Sequence, residues 1–143
     1  MKAATFDVRV TEWNRDADAL RAVRRAVFIV EQHVPEAMEW DDDDRDSVHL
    51  VAEDDGGHAI GCARLLADGH IGRVAVLRAW RGLGVGHALM GCALDTARAN
   101  GHRRVALHAQ THACAFYARL GFVAEGGVYD EAGIPHQTMV CTF

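Results

Sequence analysis

The sequence predicts an α/β (α+β) domain with the element order β-α-β-β-β-α-β-α-β-β. Three observations carry that expectation. Several short segments alternate apolar and polar residues, the period-two pattern of half-buried strands. Other segments repeat apolar residues every three or four positions, as helices with one buried face do. A glycine-rich stretch, residues 81–86, separates a run of strands from a long helix.

Residues 5–13 alternate, with Phe6, Val8 and Val10 on one face and Asp7, Arg9 and Thr11 on the other. Asp16 is placed to cap a helix whose Leu20, Val23 and Val27 share a face, with Arg21, Arg24 and Arg25 mostly outside. This helix is expected to end near Phe28 to Glu31, before Pro35. Residues 36–46 (EAMEWDDDDRD) are acidic and lack a buried periodicity, so they read as a loop. Residues 47–53 and 58–66 are strand-like around the turn Asp54-Asp55-Gly56-Gly57. A second turn, Ala67-Asp68-Gly69, leads into a strand over 70–76, and the three strands make an antiparallel meander.

Beyond the glycine-rich stretch, Leu89, Ala93 and Ala97 share a helical face with Met90 and Leu94 beside them. Gly101 fits a left-handed C-terminal cap. Residues 103–109 form a strand with Val105, Leu107 and Ala109 facing one way and Ala106, His108 and Gln110 the other. Thr111 is placed to cap a short helix ending at Gly121. Two last strands, near 122–129 and 136–142, flank a turn at Gly133. No repeat, linker or low-complexity segment divides residues 1–143, which read as one domain.

Composition sets the outer bounds. A chain of 143 residues can bury about two-thirds of its unfolded surface without disulfides or metals. With half its residues hydrophobic and 24% charged, it is not a disordered sequence. A net charge of −5 argues against a nucleic-acid partner, because that affinity depends largely on neutralising phosphates. Cys62, Cys92, Cys114 and Cys141 follow no paired spacing and read as small buried hydrophobes of a cytoplasmic protein. The N-terminus carries charge where a signal peptide needs an apolar core, and no run of about 18 apolar residues spans a membrane.

The sharpest local signal is Arg81-Gly82-Leu83-Gly84-Val85-Gly86-His87, between a strand and a helix. Amides at a helix N-terminus are unpaired and the helix dipole favours an anion there, so a phosphorylated ligand is expected. Glycines let the backbone come close to it. A P-loop needs Gly-Lys-Ser/Thr, and here His87 and Ala88 follow Gly86. A dinucleotide fingerprint needs glycine at 87, or Gly or Ala at 89, and finds His87 and Leu89.

Arg81-x-x-Gly84-x-Gly86 resembles the acetyl-CoA loop of the GCN5-related N-acetyltransferase (GNAT) family. The segment Ala115-Phe116-Tyr117-Ala118-Arg119-Leu120-Gly121-Phe122 is similar to a second stretch typical of that family, and the element order agrees over nearly the whole chain. Val27-Phe28-Ile29-Val30-Glu31-Gln32, the acidic loop and Gly133-Ile134-Pro135-His136 resemble a bacterial subgroup of small acetyltransferases of unassigned substrate.

The resemblance implies a mixed, mostly antiparallel central sheet of about seven strands flanked by helices. It implies acetyl-CoA as cosubstrate, with the pyrophosphate on the amides of Gly82, Leu83, Gly84, Val85, Gly86 and His87. Arg81 would brace that loop or approach a phosphate. The pantetheine arm would pair with the strand carrying Val74, Ala75 and Val76, as an added strand does, with Gln110 also on the cofactor side. An amide near Val76 would stabilise the oxyanion. Tyr117 would protonate the departing CoA thiolate, a donation that a phenol with a pKa near 10 can make to a thiolate near 8.5. The final strands would allow a homodimer.

An amine acceptor must lose a proton before attack, and the candidate bases are Glu31, Glu53, His108 and His136. Glu39-Trp40-Asp41-Asp42-Asp43-Asp44 is most simply a solvated loop, and alternatively a lure for a cationic amine. His108 and His112 are four apart but straddle a strand end and a helix start, so no metal is expected. Cys114 reads as a helix cysteine, since direct transfer needs no covalent intermediate. The leading expectation is acetyl transfer to a primary amine of a small molecule or peptide. A non-catalytic acyl-CoA sensor and a nucleotide binder are the alternatives.

Overall fold

A computed structural model describes residues 5–143; residues 1–4, part of the stretch read for a leader, lie outside the described residues. One eight-stranded sheet runs in the order β1-β2-β3-β4-β5-β8-β6, with β7 also paired to β8. The strands are β1 (Phe6–Thr11), β2 (Val48–Asp54), β3 (Ala59–Leu65), β4 (His70–Val76), β5 (Arg104–Gln110), β6 (Val123–Ala124), β7 (Tyr129–Glu131) and β8 (Ile134–Thr142). Among the described residues only β4 and β5 run parallel, and every other pair is antiparallel. The sheet has eight strands where seven were expected because the segment before Gly133 is two short strands, broken at Gly126, whose φ is +76°.

The helices are α1 (Trp13–Arg24), α2 (Glu36–Glu39), α3 (Val85–Ala99) and α4 (Cys114–Arg119). On one face of the sheet, α3 buries Val85, Leu89, Met90, Ala93 and Ala97 against Leu50, Ile60, Ala63, Leu65 and Ile71. On the other, α1 packs Leu20 and Val23 against Val51, Cys62 and Ala75. The turns fold as their residues require. Asp54 Oδ1 accepts from the amides of Gly56 and His58, and Asp68 Oδ1 from that of His70. Gly101 ends α3 at φ +88°, with the His102 amide donating back to Ala97 O.

Several expectations need correction. The first helix starts at Trp13, not after Asp16, and kinks at Asp16, whose carboxylate accepts from Arg9 and Thr11 instead of capping. Beyond α1 the backbone widens into a π-helical turn, Arg25–Glu31. Val10, expected on the buried face, is 49% exposed on the edge strand β1. Thr111 caps nothing: it opens a 3-10 turn, Thr111–Ala113, that feeds α4.

The largest departures are Arg24 and the acidic segment. Arg24, expected outside, is 1% exposed. Residues 36–46 are not a solvated loop but hold α2 and a 3-10 turn, Asp42–Arg45, that bury Glu39 and Asp44. Arg24 Nε donates to Glu39 Oε2 at 2.8 Å and Nη1 to Asp44 Oδ1 at 2.7 Å. Arg64 reaches Asp41 and Asp44, and Arg73 reaches Asp41 and the Glu39 carbonyl. Three guanidiniums thus balance three carboxylates under α1. Burial opposes the charge on Arg24, but Asp44 and Glu39 outweigh it and keep its pKa above the ordinary value. His49 beside them is depressed by burial, and its Nε2–H donates to Asp44 O.

Candidate active site

The site begins where the sheet splits. β4 and β5 pair only at His70↔Ala106 and Ile71↔Leu107. Beyond that point the two strands separate, although each continues for several residues. β4 also carries a bulge: its register against β3 shifts between Cys62 and Arg64, and Arg73 sits at φ +52°. The amide of Leu77 donates to Ile60 O, so Leu77 faces β3. Backbone groups alternate sides along a strand, and those of Val76 therefore point into the split. The side chain of Ala75 is buried toward α1, whereas Val74 and Val76 pack against the core on the α3 side.

The glycine loop lies at the open end of the split. Gly82 and Gly84 have φ of +75° and +90°, and a Cβ on either would meet nothing within 4 Å. The first main-chain bond of α3 runs from the Ala88 amide to Gly84 O. The amides from Gly82 to His87 have no main-chain partner among the described residues. Six donors at the positive end of a 15-residue helix suit a pyrophosphate. Leu83 and His87 are exposed, whereas the Val85 side chain is buried, leaving only its amide to the loop. Gly86 serves packing: a Cβ there would stand 3.4 Å from Phe116 Cζ, on α4.

Arg81 turns back from the loop. Its Nε donates to Val76 O at 3.0 Å, and its two terminal nitrogens form a bidentate pair with Glu31, each at 2.7 Å. Arg78 approaches the same carboxylate at 3.5 Å. The hydrogen bond from Arg81 holds the Glu31 carboxyl below its ordinary pKa. The loop is thereby tied to the end of the π-helical turn. A groove of about 450 Å³ between the π-helical turn and the end of β4 is lined by Ala26, Val27, Val30, Glu31, Leu77 and Arg78.

Tyr117 is 9% exposed, edge-on to Phe116 and Phe122. Burial pushes its pKa up to about 12, so the phenol stays protonated and able to donate. Gln110 ends β5 facing away from α3 and exchanges two amide hydrogen bonds with Gln32, at 2.8 and 3.2 Å. His108, two residues earlier on the same face, has its Nδ1 3.2 Å from Glu131 Oε1. His136 is 6% exposed and its Nδ1–H donates to Ile134 O at 2.7 Å. Glu53 is not brought to the split: Arg9 holds it, and β3 lies between it and β4.

Gln32, Glu131 and the Arg24–Arg64–Arg73 set are the residues that sequence reading missed. Gln32 meets its partner across 78 residues and Glu131 meets His108 across 23, so no local spacing announces either pair.

Comparison with known proteins agrees with this geometry. A family model described as an acetyltransferase (GNAT) domain matches residues 14–143. The chain is 36% identical over 122 residues to the uncharacterized N-acetyltransferase YjcF of Bacillus subtilis, covering 82% of this chain and 86% of that one. It is 37% identical over 126 residues to protein ElaA of Escherichia coli, covering 82% of each. Among solved structures, an acyl-CoA N-acyltransferase from Pseudomonas aeruginosa superposes with a TM-score of 0.86 at 38% identity, over 96% of this chain and all of that one.

Proposed function

Because the chain belongs to the GNAT acetyltransferase family and is an N-acetyltransferase, we propose that it takes acetyl-CoA as cosubstrate and moves the acetyl group directly to a primary amine of a small molecule or peptide. The observation that carries this reading is the split between β4 and β5, which leads to six unpartnered loop amides.

Bound acetyl-CoA supplies an activated thioester. The amides of Gly82, Leu83, Gly84, Val85, Gly86 and His87 hold its pyrophosphate. The backbone of Val74, Ala75 and Val76 receives the pantetheine arm as one more strand, with Gln110 on the opposite wall. An amide on the β4 wall between the Arg73 bulge and Val76 stabilises the oxyanion of the addition step, and Tyr117 donates its proton to the departing sulfur. The acceptor, a primary amine, arrives protonated and so cationic. We place the reaction in the cytoplasm, where four free thiols persist. A homodimer along the final strands would cover the exposed Val123 and Val128, which sedimentation would detect.

Acetyl-CoA tests the core of the proposal. At about 100 times its Kd it adds about 2.7 kcal/mol of stability, seen as a raised melting temperature. No shift at millimolar acetyl-CoA would remove the proposal's foundation.

A further inference from the structure

We propose that His108 is the base that deprotonates the acceptor amine, with Glu131 as the residue that positions it. The inference rests on the acyl-transfer reading above and assigns the acceptor side of the same site.

Register gives the location. β4 and β5 are in step at Ile71↔Leu107, so the Arg73 bulge falls level with Ala109, between His108 and Gln110. Val105, Leu107 and Ala109 face the core. His108 and Gln110 therefore face the opposite side of the sheet, where Gln110 meets Gln32 at the end of the π-helical turn. A pantetheine arm running back from the loop along β4 carries its thioester toward the closed end of the split, which is the level of His108. Tyr117 lies in the core on the α3 side. The acid and the base thus approach the split from opposite faces of the sheet.

The chemistry follows from the partners. Glu131 can only accept, so its contact with His108 fixes the proton on Nδ1 and leaves the Nε2 lone pair free. The groups facing His108 come from three further strands. His70 of β4 stands edge-on at 5.7 Å, itself 3.0 Å from Asp68. Tyr129 of β7 is edge-on at 5.8 Å. His136 of β8 stacks on Tyr129 and has its Nε2 3.6 Å from the second oxygen of Glu131. The carboxylates that compete for the role, Glu31 and Glu53, are each held by arginine, whereas the partners of Glu131 are both histidines.

The step balances as follows. His108 Nε2 takes one proton from the ammonium, and the freed lone pair forms the C–N bond at the thioester carbonyl. The C–S bond breaks as the adduct collapses, and the sulfur receives the Tyr117 proton. The second nitrogen proton, shed as the amide forms, returns to the Tyr117 oxygen through solvent. The His108 imidazolium then loses its proton to solvent.

The first test needs no acceptor. In ¹⁵N–¹H spectra of the full chain, acetyl-CoA should shift the His108 ring signals at the same midpoint as the amides of Gly82 to His87, while His58, in the β2–β3 turn, stays still. Loop amides that shift without His108 would overturn this proposal alone. Absence of any shift would overturn the acyl-CoA reading and this inference with it. The second test uses whichever of spermidine, a lysine peptide or an aminoglycoside the wild type acetylates. His108→Gln should slow transfer about 10²–10⁴-fold with unchanged acetyl-CoA affinity, and added imidazole should restore part of the rate. Glu131→Gln should slow it less. Wild-type turnover in His108→Gln would refute the assignment.

Discussion

Single residues here are governed by partners far away in sequence. Arg24 sits between Val23 and Val27 on an amphipathic helix, and helical periodicity sends an arginine to solvent. It lies inside because Glu39 and Asp44, 15 and 20 residues later, fold over it. Removing Arg24 leaves two guanidiniums against three carboxylates, and an uncompensated charge in a buried ion set costs about 3–5 kcal/mol. Arg24→Met should lower urea-unfolding stability by that amount; a loss below about 1 kcal/mol would contradict the burial described. Asp16 works at the surface. Hydrogen bonds from Arg9 and Thr11 hold its pKa down to about 2, below its unfolded value. A depressed carboxyl stabilises above the unfolded pKa and loses that contribution as pH falls toward the folded one. Asp16→Asn should therefore flatten the loss of stability between pH 4 and about 2 in acid titrations. For Tyr117, the Phe variant should keep acetyl-CoA affinity and lose turnover. The wild-type rate should show no fall from phenol ionisation through the mildly alkaline range, since that group ionises only near 12.

At the scale of elements, what the sequence announced were the pieces whose signals are local. The meander, α3 with its Gly101 stop, and the glycine loop all follow from periodicity or from residues that tolerate positive φ. Elements set by distant partners were misread. Asp16 looks like a cap because capping residues are short and polar, but Arg9 competes for the same oxygens and wins. The π-helical turn has no sequence signature of its own, and it is what carries Glu31 and Gln32 to the split. The candidate site divides the same way: its loop and Tyr117 stood in motifs, whereas Glu131 required the tertiary fold. Within the loop, Gly84→Ala isolates conformation from contact, because a Cβ there meets nothing. A left-handed alanine costs about 1–2 kcal/mol. Titration calorimetry should show weaker acetyl-CoA binding, with the loop rearranged and the fold intact. Gly82→Ala, also at positive φ, should behave alike.

Over the whole molecule, helices cover both faces of the β1–β4 half, and the other half joins it at two residue pairs and through the helical core. Eight strands in one sheet suggest a single continuous plate. The short β4–β5 contact makes it two plates sharing a seam. Breathing of the ligand-free protein should therefore begin along that seam. In native-state hydrogen exchange, the Val76 amide should exchange far faster than its β3 neighbours, and acetyl-CoA should slow it to their rate. The cosubstrate would then act as a keel joining the two plates, so that mechanical cohesion and catalytic readiness arrive in the same binding event.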